Sequence, residues 1–207
     1  MQAAGLTPDV MSFTTAMDAC GKAGQWQRAL ALLEEMADLG VAPTDWSFNT
    51  ALNACAKVGQ WEKAVALLGE MRQQGVAPDV VSFNTAMNAC GKAGQWEQAL
   101  ALLEEMRAAG VAPNEVSFST AINGCGKAGQ WEQALALLGE MRTAGVAPNV
   151  VSFNTAMDAC GKAGQWRSAE RRVGEECRAR WAPDQWTYNT AMDACGQAGR
   201  CAPAQRR

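Results

Sequence analysis

The chain has 207 residues, is 48% hydrophobic and 19% charged, and carries a net charge of −3, a balance that fits a folded protein rather than a disordered one. Histidine is absent, which excludes imidazole triads, His-bearing zinc sites and the zinc deaminase chemistry that needs a His and a Glu. No apolar run is long enough to span a membrane, and neither a GxxxxGK[ST] loop nor a GxGxxG fingerprint occurs, so no enzyme, cofactor, metal or small-molecule substrate is expected.

A fixed period organises the chain. Trp26, Trp61, Trp96, Trp131 and Trp166 stand 35 residues apart, and so do Cys20, Cys55, Cys90, Cys125, Cys160 and Cys195. Such a period means one supersecondary unit stacked on copies of itself. Residues 1–9 align with Met106–Asn114 and read as the tail of an earlier repeat, so the chain is expected to be a fragment of a longer array. Full repeats follow at 10–44, 45–79, 80–114, 115–149 and 150–184, and residues 185–207 supply a partial sixth with a frayed end.

The third repeat serves as the type. Asp79 is placed to cap a helix starting near Val80. Phe83, Met87 and Cys90 then make one apolar stripe beside Ala86. Gly91 and Gly94 bracket Lys92-Ala93, where the first helix is expected to end. A second helix is expected from about Gln95 to Ala109, burying Trp96, Ala99, Leu100, Leu103 and Met106. Gly110 closes it, and Val111-Ala112-Pro113 forces an extended link, with Val76, Val111 and Val146 expected at the repeat junctions. Two glycine-bearing turns and a proline per period rule out a continuous coiled coil. The expected fold is an all-α right-handed solenoid of antiparallel helix pairs.

The fifth repeat departs from this pattern. AERRVGEE over 169–176 stands where the type has ALALLEEM, so Glu170, Arg172 and Glu176 replace apolar contacts. A polar-faced terminal helix suits a solenoid cap; a decayed repeat is the alternative. The repeated cysteines read as buried free thiols, because repeats stack about 10 Å apart and a disulfide needs Cα atoms within about 7 Å. Cys177 and Cys201 fall outside the ladder and could be exposed thiols.

The informative positions are those that vary. The fifth residue of successive repeats is Thr14, Asn49, Asn84, Ser119 and Asn154. Short amides and hydroxyls carry the donors and acceptors a base edge needs, and the same residue types also cap helices. Lys22, Lys57, Lys92, Lys127 and Lys162 end each first helix, where the helix dipole alone would favour them.

The pattern V-V-S-F-N-T-A-M-x-A-C-G-K-A-G-Q-W-x-x-A-L-x-L-L-x-E-M-x-x-x-G-V-A-P-[DN] resembles the pentatricopeptide repeat in its plain 35-residue form, across essentially the whole chain. That resemblance implies binding of single-stranded RNA at one base per repeat, an established property of such repeats. It also implies that the fifth and last residues of a repeat select the base. The deciding pairs are then Thr14 with Thr44, Asn49 with Asp79, Asn84 with Asn114, Ser119 with Asn149, and Asn154 with Asp184. Their family assignments give 5′-(purine)-U-C/U-A-U-3′.

By the same resemblance, Met11, Trp46, Val81, Val116, Val151 and Trp186 sandwich bases, and the five lysines face the RNA backbone. An indole at Trp46 or Trp186 either stacks on a base, worth about 1–3 kcal/mol, or crowds the groove. The resemblance implies work on mitochondrial or chloroplast transcripts, with protein partners from the RNA-processing machinery. The rival reading is a protein–protein scaffold using the concave face, for which neutralising Lys57, Lys92 and Lys127 would be harmless.

Overall fold

The computed structural model describes residues 8–163. They form nine α-helices and no strand: α1 (Val10–Lys22), α2 (Trp26–Asp38), α3 (Asp45–Lys57), α4 (Trp61–Gln73), α5 (Val80–Lys92), α6 (Trp96–Ala108), α7 (Glu115–Lys127), α8 (Trp131–Thr143) and α9 (Val150–Lys162). The chain divides into two compact units, Met1–Pro113 and Asn114–Arg207. In the first, α1, α3 and α5 lie side by side as an inner layer. There α2 packs on both α1 and α3, α4 on both α3 and α5, and α6 on α5. In the second unit α7 and α9 lie side by side, with α8 against both. Helix pairs thus stack as the period requires. The polar second helix of the fifth repeat, the partial sixth repeat, Cys177, Cys201, Asp184 and Trp186 lie outside the described residues.

The helix starts follow from the residue after each proline. Asp9, Thr44, Asp79, Asn114 and Asn149 are extended N-caps. Each accepts the amide of a serine three residues on, at 2.8 Å for Asp79 and Ser82 but 3.4 Å for Thr44 and Ser47. From Thr44 onward the serine hydroxyl also takes the cap's own amide, completing a capping box. The helix ends follow from glycine. Beyond α2, Gly40 sits at φ 72°; its amide bonds the Ala37 carbonyl and the Val41 amide bonds the Met36 carbonyl, both at 3.0 Å. This is a Schellman ending, which a residue with a Cβ adopts only under strain.

Gly91 does not belong to the turn, as the sequence suggests, but is buried inside α5. Gly21 shows the reason for a helical glycine at this register. A Cβ there would lie 3.1 Å from the Cβ of Ala54, and one on Gly126 would lie 3.1 Å from that of Ala159. Where contacts at this register are seen, the inner helices therefore meet closely through small residues, and the position takes glycine or, as at buried Ala56 in α3, alanine.

The core repeats as well. Phe48, Phe83, Phe118 and Phe153 are buried with Leu52, Met87, Ile122 and Met157 beneath the inner layer, and Met36, Met71, Met106 and Met141 are buried from the outer helices. Each such side chain contributes about 1.5–3 kcal/mol on leaving water. The outer face is rotated from the expected one: Leu102 is buried where Leu100 was expected, and Trp26, Trp61, Trp96 and Trp131 are only half-buried. An indole in the first turn of an outer helix has core on one side and solvent on the other. Val76, Val111 and Val146 are half-buried. Cys55, Cys90, Cys125 and Cys160 are buried free thiols, whereas Cys20 is half-buried. Burial pushes the Cys55, Cys90 and Cys125 thiols up to about 11. Among the described residues no helix is long and apolar enough to cross a membrane.

Candidate nucleic-acid interface

Positions two, five, six, nine and thirteen of a repeat fall on one stripe of the inner helix, at i, i+3, i+4, i+7 and i+11. The stripe begins with an apolar side chain left in solvent. Met11 is 69% exposed, Trp46 69%, Val81 55%, Val116 56% and Val151 60%. In each unit, apolar residues left exposed at this register mark a surface suited to contact. In the first unit the stripes of α1, α3 and α5 line a groove of about 720 Å³. Met11, Trp46 and Val81 line it, and so do Thr14, Asn49 and Asp79.

The second repeat has the most organised pair. Asn49 Nδ2 donates to Asp79 Oδ1 at 3.4 Å, joining the fifth residue to the last across 30 positions. Ser82 Oγ lies 2.7 Å from Asn49 Oδ1 and 2.8 Å from Asp79 Oδ1. Burial raises the Asp79 carboxyl, but bonds from the Ser82 amide and hydroxyl and from Asn49 outweigh it and hold the group below its ordinary value. Asp79 is therefore an ionised acceptor at neutral pH, serving as helix cap and as half of the pair.

The other pairs differ. Thr14 is 3% exposed, and its hydroxyl donates to its own helix, 2.9 Å from the Val10 carbonyl and 3.1 Å from that of Met11. Thr44 is occupied with Ser47. Asn84 lies in the first unit and Asn114 in the second, where Asn114 caps α7. In the second unit the Asn149 amide donates to Glu115 rather than to Ser119. Ser119 Oγ and Asn154 Oδ1 are buried with no hydrogen-bond partner among the described residues. Buried oxygens without a donor are uncommon in folded proteins, and each is a place for an incoming donor.

The lysines fall into two classes. Asp18 precedes Lys22 by one turn and Asp158 precedes Lys162, with ion pairs of 2.7 and 2.6 Å. The Lys22 hydrogen bond holds the Asp18 carboxyl below its ordinary value. Asn53, Asn88 and Asn123 occupy the same place before Lys57, Lys92 and Lys127. Lys92 Nζ lies 3.4 Å from the Lys57 carbonyl at the end of α3. Sequence reasoning missed Asp18, Asn53 and Ser82, although Asp18 and Asn53 stand one turn before lysines that it named. Asking which side chains share the stripe would have found the first two; Ser82 shows itself only when repeats are placed side by side. No metal-binding group of three or more His, Cys, Asp or Glu occurs among the described residues.

The chain is similar in sequence and fold to known proteins. Maize pentatricopeptide repeat protein PPR10 matches with 37% identity and a TM-score of 0.76, over 94% of this chain and 28% of that one. PPR10 in complex with an 18-nt psaJ RNA element matches with 30% identity and a TM-score of 0.69, over 97% of this chain and 35% of that one. The chain therefore spans about a third of the length of these proteins. The PPR domain of Arabidopsis thaliana protein-only RNase P 1, in complex with tRNA, shares the fold at 18% identity and a TM-score of 0.68, over 88% of this chain and 96% of that one. None of the curated proteins matches. The PPR repeat family model matches residues 8–57, 43–90, 78–127, 115–162 and 148–197. On that match, and on the repeated helix pairs beneath it, the chain belongs to the PPR repeat family.

Proposed function

We propose that the chain is a sequence-specific module for single-stranded RNA that reads one base per repeat, with a site of about 5′-(purine)-U-C/U-A-U-3′, and performs no catalysis itself. The observation that carries this is the Asn49–Asp79 pair, held between the exposed Trp46 and Val81 in one groove. With Nδ2 turned to Asp79, Asn49 keeps its second amide hydrogen as a donor for a uracil carbonyl. An ionised carboxylate has more acceptor sites than these bonds use and can take the uracil N3–H. Cytosine presents an acceptor at N3, which a carboxylate repels. An amide in the last position removes that repulsion, and Asn114 is such an amide in the third repeat.

The five exposed apolar residues supply faces for bases, and Trp46 supplies the broadest. Lys57, Lys92 and Lys127 serve as phosphate contacts, while Lys22 and Lys162 are offset by their aspartates. So few contacts on a net-acidic chain mean modest affinity that falls with salt, by a logarithmic slope of about 0.7 per phosphate on single strands. RNA processing, stability or translation in a mitochondrion or chloroplast is the process we assign from the family. A fold neighbour described as nuclear, proteinaceous RNase P 2 of A. thaliana, makes localisation of the full gene product the direct check of that assignment.

Titration of a single-stranded RNA containing AUCAU, against one carrying its scrambled isomer at one ionic strength, tests the function. Tighter binding of the first is expected. Equal binding removes sequence readout, and binding to neither removes RNA recognition.

A further inference from the structure

A side-chain amide presents a donor at one end and an acceptor at the other, and a half-turn exchanges them. Which end meets a base therefore depends on what fixes the other. At Asn49 the answer lies in the following repeat. Asp79 is acceptor-only, so the amide end facing it at 3.4 Å is Nδ2. Oδ1 then faces Ser82 Oγ, 2.7 Å away. Ser82 is fully buried, so water does not compete for this bond. Its hydroxyl oxygen also accepts the Asp79 amide at 3.2 Å, and its one hydrogen lies between Asn49 Oδ1 at 2.7 Å and Asp79 Oδ1 at 2.8 Å, which share it.

We infer that Ser82, a residue of the third repeat, is a positioning residue for the base preference of the second, because it locks the Asn49 amide with its donor end toward the RNA. The inference rests on the RNA-binding reading above. Without the hydroxyl, only the 3.4 Å bond to Asp79 holds the amide, so Asn49 flips more readily and offers Oδ1 to the N4 amino group of cytosine, and preference for U over C weakens while overall affinity changes little.

The molecule contains its own control. Ser47 does the same capping work for α3, within 3.3 Å of the Thr44 amide and 3.2 Å of the Thr44 hydroxyl. The reader one repeat back, Thr14, bonds only its own helix. Ser47→Ala therefore removes a capping hydroxyl and its contact to Thr44, but no contact to a fifth-position side chain.

Ser82→Ala and Ser47→Ala are each compared with wild type by binding to two RNAs that differ only as U or C at the second base, with thermal melting recorded alongside. The U-to-C affinity ratio is expected to fall about fivefold in Ser82→Ala, the worth of one hydrogen bond, and to hold in Ser47→Ala, although both variants melt earlier. A ratio unchanged in Ser82→Ala, or lowered equally in Ser47→Ala, overturns the inference while RNA binding stands. A wild type indifferent to U and C overturns the base reading itself, and the inference with it.

Discussion

Thr14 and Asn49 occupy the same place on α1 and α3, each three residues beyond an exposed apolar side chain, and they spend their polar atoms in opposite ways. Thr14 turns its hydroxyl back onto the carbonyls of Val10 and Met11 and is buried. Asn49 reaches past its helix to bond Asp79, the last residue of its own repeat, and Ser82 of the next. The difference is one of reach: a β-branched hydroxyl finds its own i−4 carbonyl first, whereas a longer amide extends past the helix. On the RNA-binding function proposed above, repeats that share a scaffold would then differ in reading power. What matters is whether a polar group remains for the ligand once the fold has taken its share.

Breaking the scaffold should erase the comparison altogether. Phe48 is fully buried in α3, and Phe48→Ala should cost about 3–5 kcal/mol of stability, read as an earlier midpoint in urea. A loss below about 1 kcal/mol would mean the inner-layer core is not what supports both readers. The next largest effect comes from moving one reader's chemistry onto the other. Thr14→Asn with Thr44→Asp places the second repeat's pair in the first, where Ser47 already stands in Ser82's register. A preference for U at the first base, about fivefold over C, should appear in binding assays. If it does not, the pair alone does not carry the readout.

Much of this was legible in advance. The period, the helix pairs, the caps after proline and the glycine endings follow from residues whose conformational preferences are local. That Met11, Trp46, Val81, Val116 and Val151 hold the same register of their helices also follows from the period. What was not legible depends on contacts between repeats. Gly91 looks like a turn residue, yet it is buried inside α5, and the contacts of Gly21 and Gly126 at the same register show that small residues there serve packing. Leu100 and Leu102 compete for the core, and the rotation of the outer helix against its neighbours decides between them. Thr14, Asn49 and Ser119 look alike as short polar residues, yet Thr14 bonds its own helix, Asn49 bonds Asp79 and Ser82, and the Ser119 hydroxyl has no partner among the described residues. The Asn49–Ser82 bond spans 33 residues and has no local signature.

The smaller effects concern charge and thiols. Asp18→Asn leaves Lys22 without its pair and should steepen the salt dependence of RNA binding by about 0.7 in logarithmic slope. It makes the first repeat resemble the second, where Asn53 stands in that place. An unchanged slope would mean Lys22 never meets a phosphate. Cys55 and Cys90 are buried, with thiols pushed up to about 11, so a thiol reagent at pH 8 should modify half-buried Cys20 well before either. Equal rates, followed by peptide mapping, would show that the inner layer opens as readily in the second repeat as in the first.

The most direct test of base selection is Asp79→Asn. It keeps a capping side chain and changes only the acceptor-only carboxylate that faces Asn49. Binding is measured to two RNAs differing as U or C at the second base. The account predicts that a preference for U in the wild type gives way to C in the variant, with the U-to-C affinity ratio falling at least about fivefold. The same ratio in both proteins would contradict it.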